Sequence, residues 1–122
     1  MDNKSSKKIL IIEDDQSLAS AYRLKLSPYY VTQNAITGDE GLKAVHDWEP
    51  DLIVLDLFLP GISGQDILKE LKKDAKTKNI PVLVLTNLEG QCEMVLKEGA
   101  ADCMIKTDMS MDEILKRIKS HV

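Results

Sequence analysis

The sequence predicts one doubly wound α/β domain, in which a mostly parallel five-stranded sheet carries helices on both faces. Apolar runs of strand length alternate five times with segments whose apolar residues recur at helical spacing. No repeat, low-complexity segment or internal linker interrupts this alternation, and 122 residues suffice for one domain. Strands that alternate with helices imply right-handed crossovers and parallel pairing. We expect residues 8–122 to form the domain and residues 1–7 to form a flexible polar leader.

The strands are predicted from short segments rich in aliphatic and β-branched residues. Residues 52–55 and 81–85 are continuously apolar, which is typical of strands that are buried on both faces of a sheet. The predicted strand segments are 8–12, 30–33, 52–55, 81–85 and 103–105.

Each predicted helix has an apolar stripe, and several have recognisable ends. Thr37 and Glu40 have the spacing of a capping box, and Ser110 with Glu113 repeats it before the last helix. Gly99 is a suitable residue just beyond the end of the fourth helix. The stripes are formed by Leu18, Ala21, Tyr22 and Leu26, by Leu42, Val45 and Trp48, by Ile67, Leu68 and Leu71, by Met94, Val95 and Leu96, and by Met111, Ile114, Leu115 and Ile118.

Composition and charge exclude several classes of function. The formal net charge is -4 and the sequence has no basic reading element, so we expect no direct contact with nucleic acid. No apolar run approaches the roughly 20 residues of a membrane helix, and the first residues lack the pattern of a secretory signal. The lysines at positions 69, 72, 73, 76 and 78 are expected to form a solvated cluster near a helix end. These features predict a cytoplasmic protein without membrane contact.

Cysteine usage agrees with that prediction. Cys92 and Cys103 are the only two cysteines, and they lie outside any C-x-x-C pattern. We therefore expect reduced thiols in a cytosolic protein.

Chemically active residues follow four of the five predicted strands. Glu13 and Asp14 follow the first strand, Asp56 the third, Thr86 the fourth and Lys106 the fifth. In open α/β sheets ligands bind outside the carboxyl ends of the strands, where these residues would meet. We therefore expect three carboxylates to share one site with a hydroxyl and an ammonium group.

Such a site suits metal-assisted phosphoryl transfer. Carboxylates packed together repel, and the pKa of at least one rises unless a cation lies between them. Mg²⁺ is the natural cation, because it prefers oxygen ligands and also binds phosphate. A carboxylate held against it can attack phosphorus and form an aspartyl phosphate. The reaction needs mainly positioning and charge stabilisation, which Mg²⁺, Lys106 and Thr86 would supply.

Four segments resemble the receiver domains of bacterial response regulators, in the same order and at matching spacing. They are residues 9–15 (ILIIEDD), 50–64 (PDLIVLDLFLPGISG), 81–86 (PVLVLT) and 99–102 (GAAD) leading to Lys106. The resemblance extends from about residue 8 to the end of the chain. It implies a flavodoxin-like fold with strand order 2-1-3-4-5, and it implies that Asp56 is the phosphoacceptor.

The resemblance also implies roles for the residues around the phosphoacceptor. Glu13 and Asp14 correspond to an acidic pair that binds Mg²⁺, with Asp14 the direct ligand and Glu13 reaching the ion directly or through water. Asp56 itself and the backbone carbonyl of Phe58 would complete the protein ligands. Thr86 and Lys106 would hold the phosphoryl oxygens as catalytic residues.

Partners follow from the same resemblance. The implied phosphoryl donor is a histidine kinase or a histidine phosphotransfer protein, which would bind the first helix and the loops at the active edge. Output would come from the fourth helix, fifth strand and fifth helix, across Leu88 to Val122. The domain would catalyse its own phosphorylation and dephosphorylation but turn over no external substrate. The phosphoryl group would shift the population towards an active conformer.

The sequence departs from the family pattern at three positions. Thr107 stands where proline usually follows the lysine, so we expect a trans peptide after Lys106 and a shifted loop. Cys103 stands where the family often has an aromatic residue. We therefore expect the conformational coupling between this position and Thr86 to differ from that of the family. Asn87 replaces a small residue after Thr86 and is expected to narrow access to the site.

The loop after Asp56 carries two further expectations. Gly61 and Gly64 predict a loop that needs freedom of φ. Phe58 and Leu88 are apolar and are expected to flank the phosphoryl group, which predicts slow self-dephosphorylation.

Three alternative functions would make different demands on the sequence. A degenerate receiver would bind partners without being phosphorylated. A haloacid-dehalogenase-type phosphatase would need a second aspartate two residues after Asp56, where Phe58 stands. A flavin-binding domain would need a phosphate-cradling loop after the first strand, where the acidic residues 13–15 would repel a phosphate.

Overall fold

Five strands and five helices alternate along residues 6–122, the part of the chain that the computed structural model describes. The strands are β1 (Lys8–Ile12), β2 (Val31–Ala35), β3 (Leu52–Asp56), β4 (Val82–Thr86) and β5 (Asp102–Ile105). The helices are α1 (Gln16–Leu26), α2 (Gly38–Trp48), α3 (Gly64–Lys73), α4 (Gly90–Lys97) and α5 (Met111–His121), with a 3-10 turn at Lys106–Asp108. None of these described helices is long and apolar enough to cross a membrane. Residues 1–5 of the predicted leader lie outside the described residues, so the domain boundary stays a prediction.

The strands form one parallel sheet in the order β2-β1-β3-β4-β5, which confirms the predicted fold class and strand order. Ile12 pairs with Leu55, Asp56 pairs with Leu85, and Thr86 is level with the end of β5. The residues that follow β1, β3 and β5 therefore meet at one edge of the sheet. The edge strand β2 starts one residue later and ends two residues later than predicted, and its burial alternates as expected for a strand at the rim.

Two apolar cores cover the two faces of the sheet. Ile9 and Ile11 of β1 pack with residues of α1 and α5, whereas Leu10 and Ile12 pack with residues of α2, α3 and α4. Successive side chains in a strand point to opposite faces, so each central strand contributes to both cores. This two-sided burial explains why β1, β3 and β4 are continuously apolar in sequence.

Four of the five described helices begin with a side-chain cap, and α4 does not. The caps satisfy backbone N–H groups that have no partner within the helix. They are Asp15 on the N–H of Leu18, Thr37 on that of Glu40, Ser63 on that of Asp66, and Ser110 on that of Glu113. Helix α4 has eight residues and buries only Val95 among them, and the side chain of its N-cap residue Glu89 makes no capping hydrogen bond. Among the described helices it therefore has the fewest buried residues and is the one without a side-chain cap.

One lysine of the predicted solvated cluster is not free in solvent. The ammonium of Lys72 donates to the carbonyl oxygens of Lys78 and Ile80, both at 3.0 Å. Partial burial lowers the pKa of this ammonium group. Lys72 thus fastens the segment between α3 and β4, a contact that the local charge pattern could not reveal.

The prediction of reduced cysteines is wrong. Cys92 in α4 and Cys103 in β5 form a disulfide, with their Cα atoms 5.4 Å apart. The two residues are 11 positions apart in the chain and become neighbours because α4 packs along β5. Sequence spacing alone gave no sign of this approach.

The two glycines after Asp56 are required for different structural reasons. Gly61 has φ +78°, as the predicted loop requires. Gly64 has no positive φ and is needed instead for close packing: a Cβ there would lie 2.4 Å from the Asp56 carbonyl oxygen and 2.5 Å from the Leu57 Cα. The start of α3 therefore rests directly on the end of β3.

We expect Gly64→Ala to lower the free energy of unfolding by about 1–3 kcal/mol, because the added methyl group collides with backbone atoms that cannot move aside. Gly90→Ala is the matched control, since a Cβ at that helical position meets nothing within 4 Å. The control should be neutral or raise stability by up to about 1 kcal/mol. Urea denaturation measures both effects, and equal stabilities for the two variants would contradict the close-packing explanation.

Candidate functional site

Three carboxylates gather at the carboxyl edge of the sheet, as the sequence predicts. Glu13, Asp14 and Asp56 each offer one oxygen, and these oxygens lie within 4.8 Å of one another. Glu13 and Asp56 are buried, with 2% and 4% of their surface exposed, whereas Asp14 is exposed. The register of β1 and β3 produces this arrangement, because both strands end at the same level.

The Lys106 ammonium lies between two of these carboxylates. Its Nζ atom is 2.9 Å from Glu13 Oε1 and 3.0 Å from Asp56 Oδ2. All peptide bonds in residues 6–122 are trans, so the expectation of a trans bond between Lys106 and Thr107 is confirmed. The 3-10 turn that starts at Lys106 still lets the side chain reach the acidic residues.

Backbone N–H groups fix the two buried carboxylates from the other side. The N–H of Phe58 donates to Asp56 Oδ1 at 3.2 Å, and the N–H of Asp15 donates to Glu13 Oε2 at 3.2 Å. Asp15 also caps α1 through its side chain. Both oxygens of Asp56 therefore have a partner, which restricts its rotamer.

Thr86 is the predicted site residue whose hydrogen bonds lead away from the acidic cluster. Its hydroxyl donates to Gln91 Oε1 in α4 at 2.6 Å and accepts the N–H of Leu88 at 3.1 Å. Gln91 was not predicted as a site residue. The signal that could have identified it is a polar residue in the first turn of the helix that follows β4.

An open cleft of about 420 Å³ lies beside the carboxylates. Its walls come from the loop between β3 and α3 and from the start of α4. The lining side chains include Asp14, Phe58, Gln65 and Gln91. The cleft therefore opens the exposed carboxylate of Asp14 and the loop that follows Asp56 to solvent.

Burial and like charge dominate the electrostatics of Glu13. Burial raises the pKa of its carboxyl group, and the adjacent Asp56 carboxylate raises it further. The hydrogen bonds from Lys106 and from the Asp15 N–H oppose these effects, and the pKa settles at about 7. Burial alone would lower the pKa of Lys106, but its contacts with Glu13 and Asp56 outweigh this and raise it.

The carboxylates fit a divalent cation by their chemistry and charge. They are hard oxygen donors from two adjacent strand ends, and one remains exposed to exchange with water. Three carboxylates share one ammonium group, so the fully ionised cluster keeps uncompensated negative charge. Burial is the main cause of the elevated pKa of Glu13, and the neighbouring Asp56 carboxylate adds to it.

A match to a known protein family identifies the type of domain that carries this site. A model of the response regulator receiver domain matches residues 9–119. The chain belongs to this family. The receiver domain is 34% identical over 116 residues to the DNA-binding dual master transcriptional regulator RpaA of Synechocystis, covering 93% of this chain and 48% of that protein. It is 36% identical over 119 residues to the alkaline phosphatase synthesis transcriptional regulatory protein PhoP of Bacillus subtilis, covering 94% and 48%.

The receiver domain thus spans about half the length of these curated relatives. Among solved structures, it resembles the Francisella response regulator 1452 receiver domain, with TM-score 0.87 and 30% identity over 94% of this chain and 95% of that one. It also resembles the BeF3-activated N-terminal receiver domain of Klebsiella pneumoniae RstA, with TM-score 0.86 and 25% identity over 94% and 97%.

The pKa of Glu13 predicts how stability depends on pH. A carboxyl pKa raised from 4.5 to about 7 in the folded state stabilises the fold below the unfolded-state pKa, and this contribution disappears as pH rises through the folded-state pKa. In EDTA, raising the pH from about 5 to about 8 should therefore destabilise the natural protein more than Glu13→Gln, which cannot ionise at this position. The free energy of unfolding of the variant should rise relative to that of the natural protein by on the order of 1–3 kcal/mol across this range. Urea denaturation at the two pH values provides the measurement. Glu70→Gln, at an exposed position of α3, is the control, and an equal gain in that variant would refute the assignment to Glu13.

Proposed function

We propose that this receiver domain is a phosphoacceptor switch in which Asp56 takes a phosphoryl group from a histidine kinase or a histidine phosphotransfer protein. The observation that carries the proposal is the pairing of buried Asp56 with Lys106 at 3.0 Å, inside a cluster of three carboxylates. Membership of the receiver family supports the same function. In the transfer, a carboxylate oxygen of Asp56 forms a bond to phosphorus while the bond from phosphorus to the donor histidine breaks.

The resting contacts of Asp56 prepare it for that attack. The Phe58 N–H holds one oxygen and Lys106 holds the other, so the carboxylate is oriented before the donor arrives. Pre-orientation removes part of the entropic barrier to phosphoryl transfer. When the phosphoryl group is in place, the Lys106 ammonium stabilises the charge on its oxygens.

Mg²⁺ is the proposed cofactor, and it would supply charge neutralisation for the carboxylates and the phosphoryl oxygens. Glu13, Asp14, Asp56 and the backbone carbonyl of Phe58 are the proposed ligands. The hard oxygen donors within 4.8 Å of one another support this assignment for the three carboxylates. Glu13 would bind in its ionised form, so metal binding should release protons near neutral pH.

Thr86 is the proposed link between phosphorylation and conformational change. Its hydroxyl is bonded to Gln91 in the resting domain. To contact a phosphoryl oxygen, this hydroxyl would have to give up Gln91, and the start of α4 would lose that contact. The phosphoryl group would therefore favour a conformer with a rearranged α4 through its differential contacts.

The domain would comprise residues 8–122 after a flexible leader of residues 1–7, and it would act in the cytoplasm without crossing the membrane or touching nucleic acid itself. It would turn over no external substrate. Output would pass through the face from Leu88 to Val122, which includes α4, β5 and α5, to a partner or a further domain. The transcriptional regulators among the relatives support that division of labour.

Intact mass spectrometry tests the phosphoacceptor directly. After incubation with acetyl phosphate and Mg²⁺, we expect a single phosphoryl adduct that is absent in EDTA and in Asp56→Asn. Asp39→Asn, which alters an exposed aspartate at the start of α2, should still form the adduct. A folded natural protein without any adduct would instead favour the alternative of a phosphorylation-independent binding module.

Leu88 provides a test of how long the phosphoryl group persists. Its side chain is 50% exposed and its N–H binds the Thr86 hydroxyl, so it stands at the rim of the site. We expect Leu88→Asn to speed hydrolysis of the phosphorylated domain by roughly 3- to 10-fold, because a polar side chain admits and orients water (about 0.7–1.4 kcal/mol). Leu24→Asn, at an exposed position of α1, is the control. Decay followed by intact mass should be unchanged in the control, and equal decay in both variants would count against a shielding role.

A further inference from the structure

The disulfide between Cys92 and Cys103 joins the first half of α4 to β5. The Cα atoms are 5.4 Å apart, and both residues are half-buried, so the bond lies near the surface. No metal ligand or site residue predicted from the sequence is part of it. The pair is therefore a chemically reactive group that the phosphoryl-transfer function leaves unused.

The helix that carries Cys92 has few other restraints at its N-terminal end. Helix α4 lacks the side-chain cap found on the other four described helices, and Val95 is its one buried residue. By contrast, each of those other helices buries three or four residues. Segments with little apolar burial open at a low free-energy cost, so the position of the first turn of α4 should depend strongly on the disulfide.

The same turn holds the hydroxyl of Thr86. Gln91 is the residue directly before Cys92, and its Oε1 accepts the Thr86 hydroxyl at 2.6 Å. On the other side of the bond, Cys103 pairs with Val84, two residues before Thr86 in β4. The disulfide therefore links α4 to β5, which is paired with β4, and this linkage keeps Gln91 opposite Thr86.

We propose that the Cys92–Cys103 pair is a redox-controlled lock on the Thr86 switch: the disulfide keeps Gln91 on the Thr86 hydroxyl and restrains phosphorylation, and reduction to two thiols releases it. The effect on phosphorylation rests on the proposed function of Asp56, whereas the effect on α4 does not. Two contacts support this lock: the disulfide on a helix with little apolar burial, and the hydrogen bond from Thr86 to the adjacent Gln91.

The chemistry balances with a low-molecular-weight disulfide as the oxidant. One cysteine thiolate attacks a sulfur of the reagent, forms a mixed disulfide and displaces one reagent thiolate. The second cysteine thiolate attacks the protein sulfur of that mixed disulfide and displaces the other. The protein gives up two electrons and two protons, which end on two released reagent thiols. A dithiol reverses the sequence and becomes a disulfide itself.

The test compares phosphorylation of the natural protein in its two redox states. Protein oxidised with glutathione disulfide and protein reduced with a phosphine are each incubated with acetyl phosphate and Mg²⁺, and adduct formation is followed by intact mass. We expect reduction to raise the initial rate about 5-fold or more, the low end of typical coupling between two sites. Cys92→Ser/Cys103→Ser should react at the fast rate under both conditions, which excludes an effect of the reagents.

A second variant separates a lock from a simple structural cross-link. In oxidised protein, Gln91→Ala should recover most of the fast rate, because Thr86 is then free although the disulfide remains. A cross-link that acts only on stability would leave the oxidised and reduced rates equal, and that result would overturn the proposal. Two free thiols remaining after incubation with glutathione disulfide would overturn it as well.

Amide hydrogen exchange distinguishes failure of the lock from failure of the proposed function. Reduction should speed exchange in the first turn of α4 and at the Leu88 N–H, which binds Thr86. If no adduct forms in either redox state, the phosphoacceptor function fails, and exchange alone decides the redox effect. Faster exchange on reduction would then support the control of α4 by the disulfide, and unchanged exchange would refute it.

Discussion

The ammonium of Lys106 holds two buried carboxylates together at the carboxyl edge of the sheet, 2.9 Å from Glu13 and 3.0 Å from Asp56. The parallel register creates the need for this contact, because it brings the ends of β1 and β3 to the same level. Leaving either carboxylate buried without a partner would cost several kcal/mol. The fold thus concentrates negative charge at one point, and a residue from the distant end of the chain offsets it.

Lys106 compensates only part of the negative charge of the carboxylates, and the remaining charge determines the chemical properties of the site. Three carboxylates face one ammonium group, and the pKa of Glu13 rises to about 7 because burial and the nearby Asp56 disfavour its ionised form. Such a site could hold a divalent cation, which would neutralise the carboxylates in place of a proton. The same excess of negative charge would repel a phosphoryl group, so the proposed transfer needs a nearby cation such as the Lys106 ammonium group or a metal ion.

Stability is distributed unevenly around this site. Asp56 ends β3, and Glu13, Asp14 and Lys106 lie just beyond the ends of β1 and β5, whose apolar residues contribute to the cores of the sheet. Helix α4, which carries the Gln91 partner of Thr86, buries one residue and has no side-chain cap. A rigid set of charged groups beside a loosely held helix allows the site to stay intact while a neighbouring element moves. The disulfide is the exception, since it ties this helix to the sheet.

The sequence by itself determined the order and type of the elements, because apolar periodicity, caps and prolines act over a few residues. It also placed Glu13, Asp14, Asp56 and Lys106 at one edge, since parallel strands end together. Tertiary structure alone decided that Cys92 meets Cys103, that Thr86 binds Gln91, and that Gly64 is required for close packing rather than for its φ. These contacts depend on how α3 and α4 lie against the sheet. That placement follows from the sum of many weak packing contacts, which no local pattern of residues encodes.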